Sequence, residues 1–247
     1  MSLTASIKNL LKKLIASAGY EINVIGSRGL GYISAESVVL KANEKHLTVN
    51  QYLEELWGLD THAAGIIKNF ELEKYLQNGP LNIVEIGAGT GVYVDKLIKT
   101  LGRGNIGVYQ VYETAADWVK YLGETYPIQL PESNGYQLKS TNADSVDLVH
   151  AHGVFVYTSF ITSMSYLKEM IRVVKKGGII AFDVFDQSSY TDEIIEKWIS
   201  TGHTYPNIIP EEIILDLFSK NGFRLLKTFH SAFEPGKSKY FVYLKEH

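Results

Sequence analysis

The segment Asn82-Ile-Val-Glu-Ile-Gly-Ala-Gly-Thr-Gly-Val-Tyr-Val-Asp95 constrains this chain more than any other. Ile83, Val84 and Ile86 read as a buried strand, Gly87, Gly89 and Gly91 follow at alternate positions, and a helical pattern begins directly after them. Glycine lets the backbone turn sharply and approach a ligand where a β-carbon would clash. A strand, a glycine turn and a helix in that order point to a ligand site at the carboxyl end of a sheet strand.

The rest of the chain fits a sheet around that unit. Composition changes near Asn78-Gly79-Pro80, a punctuator that ends a helix and opens a strand. After it, short β-rich runs alternate with helical patterns, as in a parallel α/β sheet. Seven strands are expected, near 82–87, 106–112, 127–130, 146–151, 178–185, 223–229 and 239–245, the last two as a hairpin-like pair. Helices should start near Thr90, Thr114 and Thr162, and one should run from Glu211 between Pro210 and Gly222. Before the punctuator the chain reads as helices. Leu3, Ile7, Leu10, Leu11 and Leu14 recur at helical spacing among Lys8, Lys12 and Lys13, a glycine-bearing loop spans 26–31, and Thr48-Val-Asn-Gln51 is a capping box stapled by Leu47 and Tyr52. The helix it opens carries Val49, Tyr52, Leu53, Leu56 and Trp57, and another runs from Thr61 towards Leu76. The domains expected are a helical N-terminal extension or cap over 1–79 and a ligand-binding α/β domain over 80–247.

Composition excludes several chemistries. The 247 residues contain no cysteine, which removes disulfide scaffolds, thiolate zinc or iron–sulfur sites and thiol nucleophiles; no metal is expected, and a cytoplasmic protein fits. A net charge of −3 lacks the basic footprint of nucleic-acid binding. No apolar run approaches the ~20 residues of a membrane span, and the first twenty residues lack the apolar core and cleavage site of a secretory leader.

Two details of the glycine segment narrow the ligand. Val92 stands where a dinucleotide fingerprint places its last glycine, and Glu85 puts a carboxylate where a pyrophosphate would be repelled. By sign alone Glu85 suits a cationic ligand with amino and sulfonium groups, although a strand-end residue capping nearby amides would look the same. With these details the segment resembles motif I of the class I S-adenosylmethionine-dependent methyltransferases, and the similarity continues over roughly 80–245. Glu113, ending the strand Val108–Tyr112, matches the family's acidic residue that binds both ribose hydroxyls; a carboxylate offers two acceptor oxygens to a vicinal diol. Asn134-Gly135 falls where the family often has Asp-Gly at the adenine amino group, though Asn-Gly is also a plain turn dipeptide. Asp144–Gly153 resembles the fourth strand, whose end lies beside the reactive methyl, and Lys175-Lys-Gly-Gly178 the turn into the fifth. The resemblance implies a Rossmann-like, mostly parallel α/β sheet of seven strands with helices on both faces. It implies S-adenosylmethionine as cofactor, held by Glu85, Gly87, Ala88, Gly89, Thr90, Gly91, Tyr93, Glu113, Thr114, Asn134, Gly135, Ala151 and His152.

A methyl transfer needs positioning, desolvation and, for a hydroxyl acceptor, a base. His150 and His152 share one strand face, and His152 at the strand's end is the first candidate base, with His203 and Tyr205 entering from a later loop. Each also has a structural reading: His152 as packing or a cofactor contact, His203 as a surface residue. Trp57 and Tyr52 are the aromatics expected to shape a small-molecule acceptor pocket, with core packing as their plainer use. Residues 4–20 resemble the starts of some bacterial glycan-cluster methyltransferases, implying a sugar or sugar-nucleotide hydroxyl as acceptor. The same basic amphipathic stretch could touch a membrane surface or the second copy of a homodimer. The competing readings are an NAD(P)-dependent oxidoreductase, opposed by Val92 and Glu85, and a methyltransferase-like protein that binds without catalysis.

Overall fold

The computed structural model describes residues 33–75, 79–201, 207–233 and 236–247. The expected helix over Leu3–Leu14, the loop 26–31, the stretch 4–20, His203 and Tyr205 lie outside these residues.

Four strands, β1 (Leu81–Ile86), β2 (Ile106–Tyr112), β3 (Val146–Ala151) and β4 (Val174–Val184), run parallel, and β5 (Phe223–Phe233) and β6 (Gly236–Lys245) form an antiparallel hairpin that joins through β6. The sheet order is β2-β1-β3-β4-β6-β5. Six strands are thus present among the described residues, not seven. The segment expected as a strand over 127–130 adds one isolated parallel bridge, Gln110 to Gln129, on the free edge of β2. Gln129 both donates to Tyr109 O (2.8 Å) and accepts from Val111 N–H (2.9 Å), but Pro127 and Pro131 on either side have no N–H to extend the ladder.

Both sheet faces are covered, so the inner strands are apolar almost throughout. On one face Val84, Ile86, Val149, Phe182 and Phe241 pack under α7 (Phe160–Val173) and α9 (Glu211–Lys220). On the other, Ile83, Leu148, Ile179 and Val242 pack under α3 (Leu59–Lys68), α4 (Leu72–Tyr75) and α5 (Val92–Leu101). Between α3 and α4 the expected single helix from Thr61 to Leu76 breaks. Glu71 takes a positive φ of 51°, and the turn sends Phe70 fully into the core.

The helices before the sheet dock on it. α1 (Ala35–Glu44) and α2 (Val49–Trp57) form a third cluster with Val92 and with Trp118 of α6 (Ala116–Thr125). Trp118 Nε1 donates to Ile33 O (2.9 Å), Ala35 N–H to Asp117 (2.8 Å), and Lys96 pairs with Asp60 at 2.6 Å. The Thr48–Gln51 capping box forms as expected, and Tyr52 is buried in this cluster. One further helix, α8 (Asp192–Thr201), follows β4. No helix among the described residues is long and apolar enough to cross a membrane.

Candidate active site

The glycine turn works at three positions for different reasons. Gly87 (φ +67°) and Gly91 (φ +78°) adopt backbone conformations that side chains rarely take, and a β-carbon on them would fall 2.6 Å from Val154 and 2.7 Å from Leu122 and Tyr126. They serve packing between strand, helix and the β3 loop. Gly89 (φ +50°) faces open space, so it is the glycine that a ligand can approach. Its N–H donates to Oε2 of Glu113 at 2.8 Å, and Oε1 of Glu113 accepts from Thr114 (2.7 Å) and Ala115 (2.9 Å). The half-buried carboxylate therefore stands over the turn at the ends of β1 and β2, and Oε2, with a single N–H on it, keeps lone-pair capacity for a further donor. Asn134 spends its side-chain oxygen on the backbone of Tyr136 (3.2 Å) and Gln137 (2.9 Å), an Asx turn, while Gly135 faces Thr114. Ala88 and Ala151 are buried at the strand ends.

A polar row crosses the apolar face under α3–α5. Strand register puts Tyr109, Glu85, His150, Asp183 and Tyr240 on one side of the sheet, each on a different strand. Tyr109 OH donates to Glu85 (2.5 Å) and meets His150 Nε2 (3.2 Å); His150 Nδ1 meets His152 Nε2 (3.0 Å), and His152 Nδ1 meets Tyr240 OH (3.3 Å). One direction of donation, from Tyr240 through His152, His150 and Tyr109 to Glu85, satisfies every member. Burial pushes the Glu85 carboxyl up to about 8, with the Glu113 charge adding to the shift against the Tyr109 bond. Burial likewise drives His150 down to about 3 and His152 well below its usual value, so both imidazoles are neutral at neutral pH. Glu85 is thus an internal residue of this row and not an open wall of the ligand cleft.

At the end of the row lies a cavity of about 510 Å³. Trp57 and His62 come from the helical layer, Tyr93 from α5, His152 and Tyr157 from β3 and its loop, Asp183 from β4, and Phe233, Ser238 and Tyr240 from the terminal hairpin. His152 sits between two rings, stacked on Tyr93 at 3.6 Å between centroids and on Phe70 at 5.7 Å. Asp183 is 1 % exposed; burial raises its carboxyl to about 6, and Gly153 N–H donates to Oδ1 at 2.7 Å. A larger cavity of about 850 Å³ borders Leu81, Leu101 and Asn105 at the amino ends of the strands. Ligands of open α/β sheets bind at the carboxyl ends, so the smaller cavity, beside the glycine turn, is the relevant one.

The sequence-derived residues therefore divide. Glu113 joins Gly89 and Thr114 by hydrogen bonds, and Thr114 in turn faces Gly135. His152 and Trp57 reach the cavity, but both ring nitrogens of His152 are engaged, and Tyr52 is in the helical core. Asp183, His62, Phe233 and Tyr240 went unrecognised. Alternation along β4 from Ala181 would have put Asp183 on the His152 face; nothing local pointed to the others.

A methyltransferase-domain family model matches residues 84–182. No curated protein matches the chain in sequence. Among solved structures it is similar to Synechocystis magnesium protoporphyrin IX methyltransferase with bound S-adenosylhomocysteine (TM-score 0.57, 12 % identity, 97 % of this chain and all of that one). It is also similar to an S-adenosylmethionine-dependent methyltransferase from Methanosarcina mazei (0.53, 15 %, 71 % and 96 %). A third similar chain comes from the Haloferax volcanii complex of a methyltransferase with its activator (0.59, 14 %, 80 % and 96 %). At such identities the likeness is one of fold. The family match spans the glycine turn, Glu113 and β3, so this stretch is similar to a methyltransferase domain, and the solved structures share its fold.

Proposed function

We propose that the chain transfers a methyl group from S-adenosylmethionine to a small molecule held in the 510 Å³ cavity. The observation that carries this is the Glu113 carboxylate poised over the Gly89 N–H, with open space on that side of the glycine, at the same sheet edge as the cavity. The donor set fits the cofactor: a carboxylate with open capacity on Oε2 for a ribose hydroxyl, and open space beside Gly89. When bound, the cofactor supplies an activated methyl on a sulfonium. Glu113 would hold the ribose, Gly89 would admit the chain between ribose and sulfur, and Thr114 with Asn134 and Gly135 would border the base.

The protein's own contribution is positioning and exclusion of water. Tyr93 and His152 stack on one another in the cavity lining. His152 acts as part of that lining and as a member of the polar row, because a neutral ring with both nitrogens engaged is a poor base. Residues 1–79 then act as a cap on the domain of 80–247, closing the cavity with Trp57 and His62. A sugar would lay the C–H face of its ring on these aromatic walls. A sugar nucleotide is less suited, since no Lys or Arg lines the cavity among the described residues to meet its phosphates.

Calorimetric titration with S-adenosylhomocysteine and with NADH tests the reading, alongside a Glu113→Ala variant. Binding of the first only, lost in the variant, supports the methyltransferase; heat from NADH only would replace it with the oxidoreductase. Binding of S-adenosylhomocysteine without turnover across a broad acceptor panel would favour a protein that binds but does not catalyse.

A further inference from the structure

The cavity's walls have a one-sided chemistry. Asp183 stands at the end of β4 on the cavity wall, with Oδ1 accepting from Gly153 N–H. Burial raises its carboxyl, and hydrogen bonds from the neighbouring buried Ser238 hydroxyl and from Gly153 N–H offset that only in part. Two protein donors leave a buried carboxylate short of the hydration it gave up, a cost that a ligand can relieve. Around it stand Trp57, Tyr157, Phe233 and Tyr240, whose ring faces favour a cation. Both imidazoles on the wall, His62 and His152, are held below their usual range by burial and carry no compensating positive charge at neutral pH. Among the described residues the lining contains no lysine or arginine. Lys239, next along β6 from Ser238, is committed elsewhere, to Asp186 (3.2 Å) and Glu211 (2.6 Å).

We propose that this pocket selects a small molecule bearing a protonated amine, which docks on the carboxylate of Asp183 within the aromatic walls. The proposal rests on the methyltransferase reading only in making that amine part of the acceptor; the recognition chemistry stands on the pocket alone. An ammonium group adds charged N–H donors to the carboxylate, and it gains from the ring faces what an alcohol of the same shape does not. An anion meets a buried carboxylate with no cation to offset it.

Three probes of one shape separate these cases: benzylamine, benzyl alcohol and benzoate, titrated into the full chain at about pH 8, where a carboxyl shifted to about 6 is ionised. Each is measured with and without S-adenosylhomocysteine. Benzylamine should bind at least tenfold more tightly than benzyl alcohol, and benzoate should not bind. Asp183→Asn should abolish the preference for the amine. Tyr157→Leu, which changes a partly exposed wall residue and leaves the core intact, should weaken benzylamine about threefold, the size of a solvent-exposed cation–π contact, and leave benzyl alcohol little changed. Benzoate binding as well as benzylamine, a preference that survives Asp183→Asn, or no binding of any probe to protein that binds S-adenosylhomocysteine would overturn the proposal. Failure of S-adenosylhomocysteine to bind while the amine ranking holds would strike the methyltransferase reading and leave the pocket's selectivity standing.

Discussion

The two halves of the site are built differently. The cofactor half is one continuous stretch of chain, β1, its glycine turn, α5 and β2, at whose end Glu113 accepts from Gly89 N–H at 2.8 Å. The acceptor half gathers side chains from the helical layer, α5, β3 and its loop, β4 and the terminal hairpin, segments spread over most of the chain. The first is defined by backbone conformation, which few residues tolerate. The second is defined by which side chains meet, so it can change chemistry without disturbing the first. That separation explains how one fold serves many acceptors.

Substitutions at the glycines give the largest test of this contrast. Gly91→Val forces a positive φ and drives side-chain atoms into Leu122 and Tyr126; it should cost about 3–4 kcal/mol of stability by urea denaturation. Gly89→Ala meets no neighbour, so only its backbone conformation resists, at about 1 kcal/mol. A similar loss at the two positions would remove the distinction between packing glycine and ligand glycine.

Next comes Glu113→Ala, which should weaken S-adenosylhomocysteine by about 100-fold, about 2.7 kcal/mol, through lost charge-assisted bonds. Asp183→Asn should move the same constant less than twofold if the halves are independent. Equal losses in both variants would merge them into one site.

The polar row between the halves gives a pH signature. Glu85 has a folded-state pKa raised to about 8 from 4.5, so its contribution to stability is fully present below about 4.5 and is lost as the pH rises towards about 8. His150, depressed from 6.5 to about 3, acts in the opposite sense: the folded state refuses a proton that the unfolded chain accepts, so stability falls as the pH drops below about 6.5. Glu85→Gln keeps an acceptor for Tyr109 and removes the first effect. Its stability relative to the parent should improve by about 2 kcal/mol between pH 5 and pH 8. A difference that does not change with pH would mean that Glu85 is ionised in the folded protein.

The smallest effect is expected at Trp57. Nearly half exposed at the cavity mouth, it should change stability by less than about 0.5 kcal/mol as Trp57→Leu, whereas Tyr52→Leu on the same helix, buried in the helical layer, should cost about 1–2 kcal/mol. Reversal of that order would move the pocket boundary inside the helical layer.

The sequence by itself determined what depends on near neighbours. Alternation and helical periodicity located β1, β2, β3 and the hairpin. Glycine spacing marked the turn, Glu113 followed from its place at the end of β2, and the Thr48–Gln51 cap and the Pro210–Gly222 limits of α9 were readable within single turns of chain. Only the tertiary structure decided the rest. That the 127–130 segment lies against the free edge of β2 and pairs there through Gln129 is set by the sheet, although the prolines that limit it stand in the sequence. The helix from Thr61 breaks so that Phe70 can reach His152, a ring more than eighty residues away. His152 had the marks of a base until Tyr240 and His150 took its nitrogens, and Asp183 had none until its strand carried it to the floor of a cavity. Periodicity tells which face of a strand a side chain occupies. What stands opposite, how much water remains there, and hence what charge the group carries are set by distant parts of the chain brought together by packing.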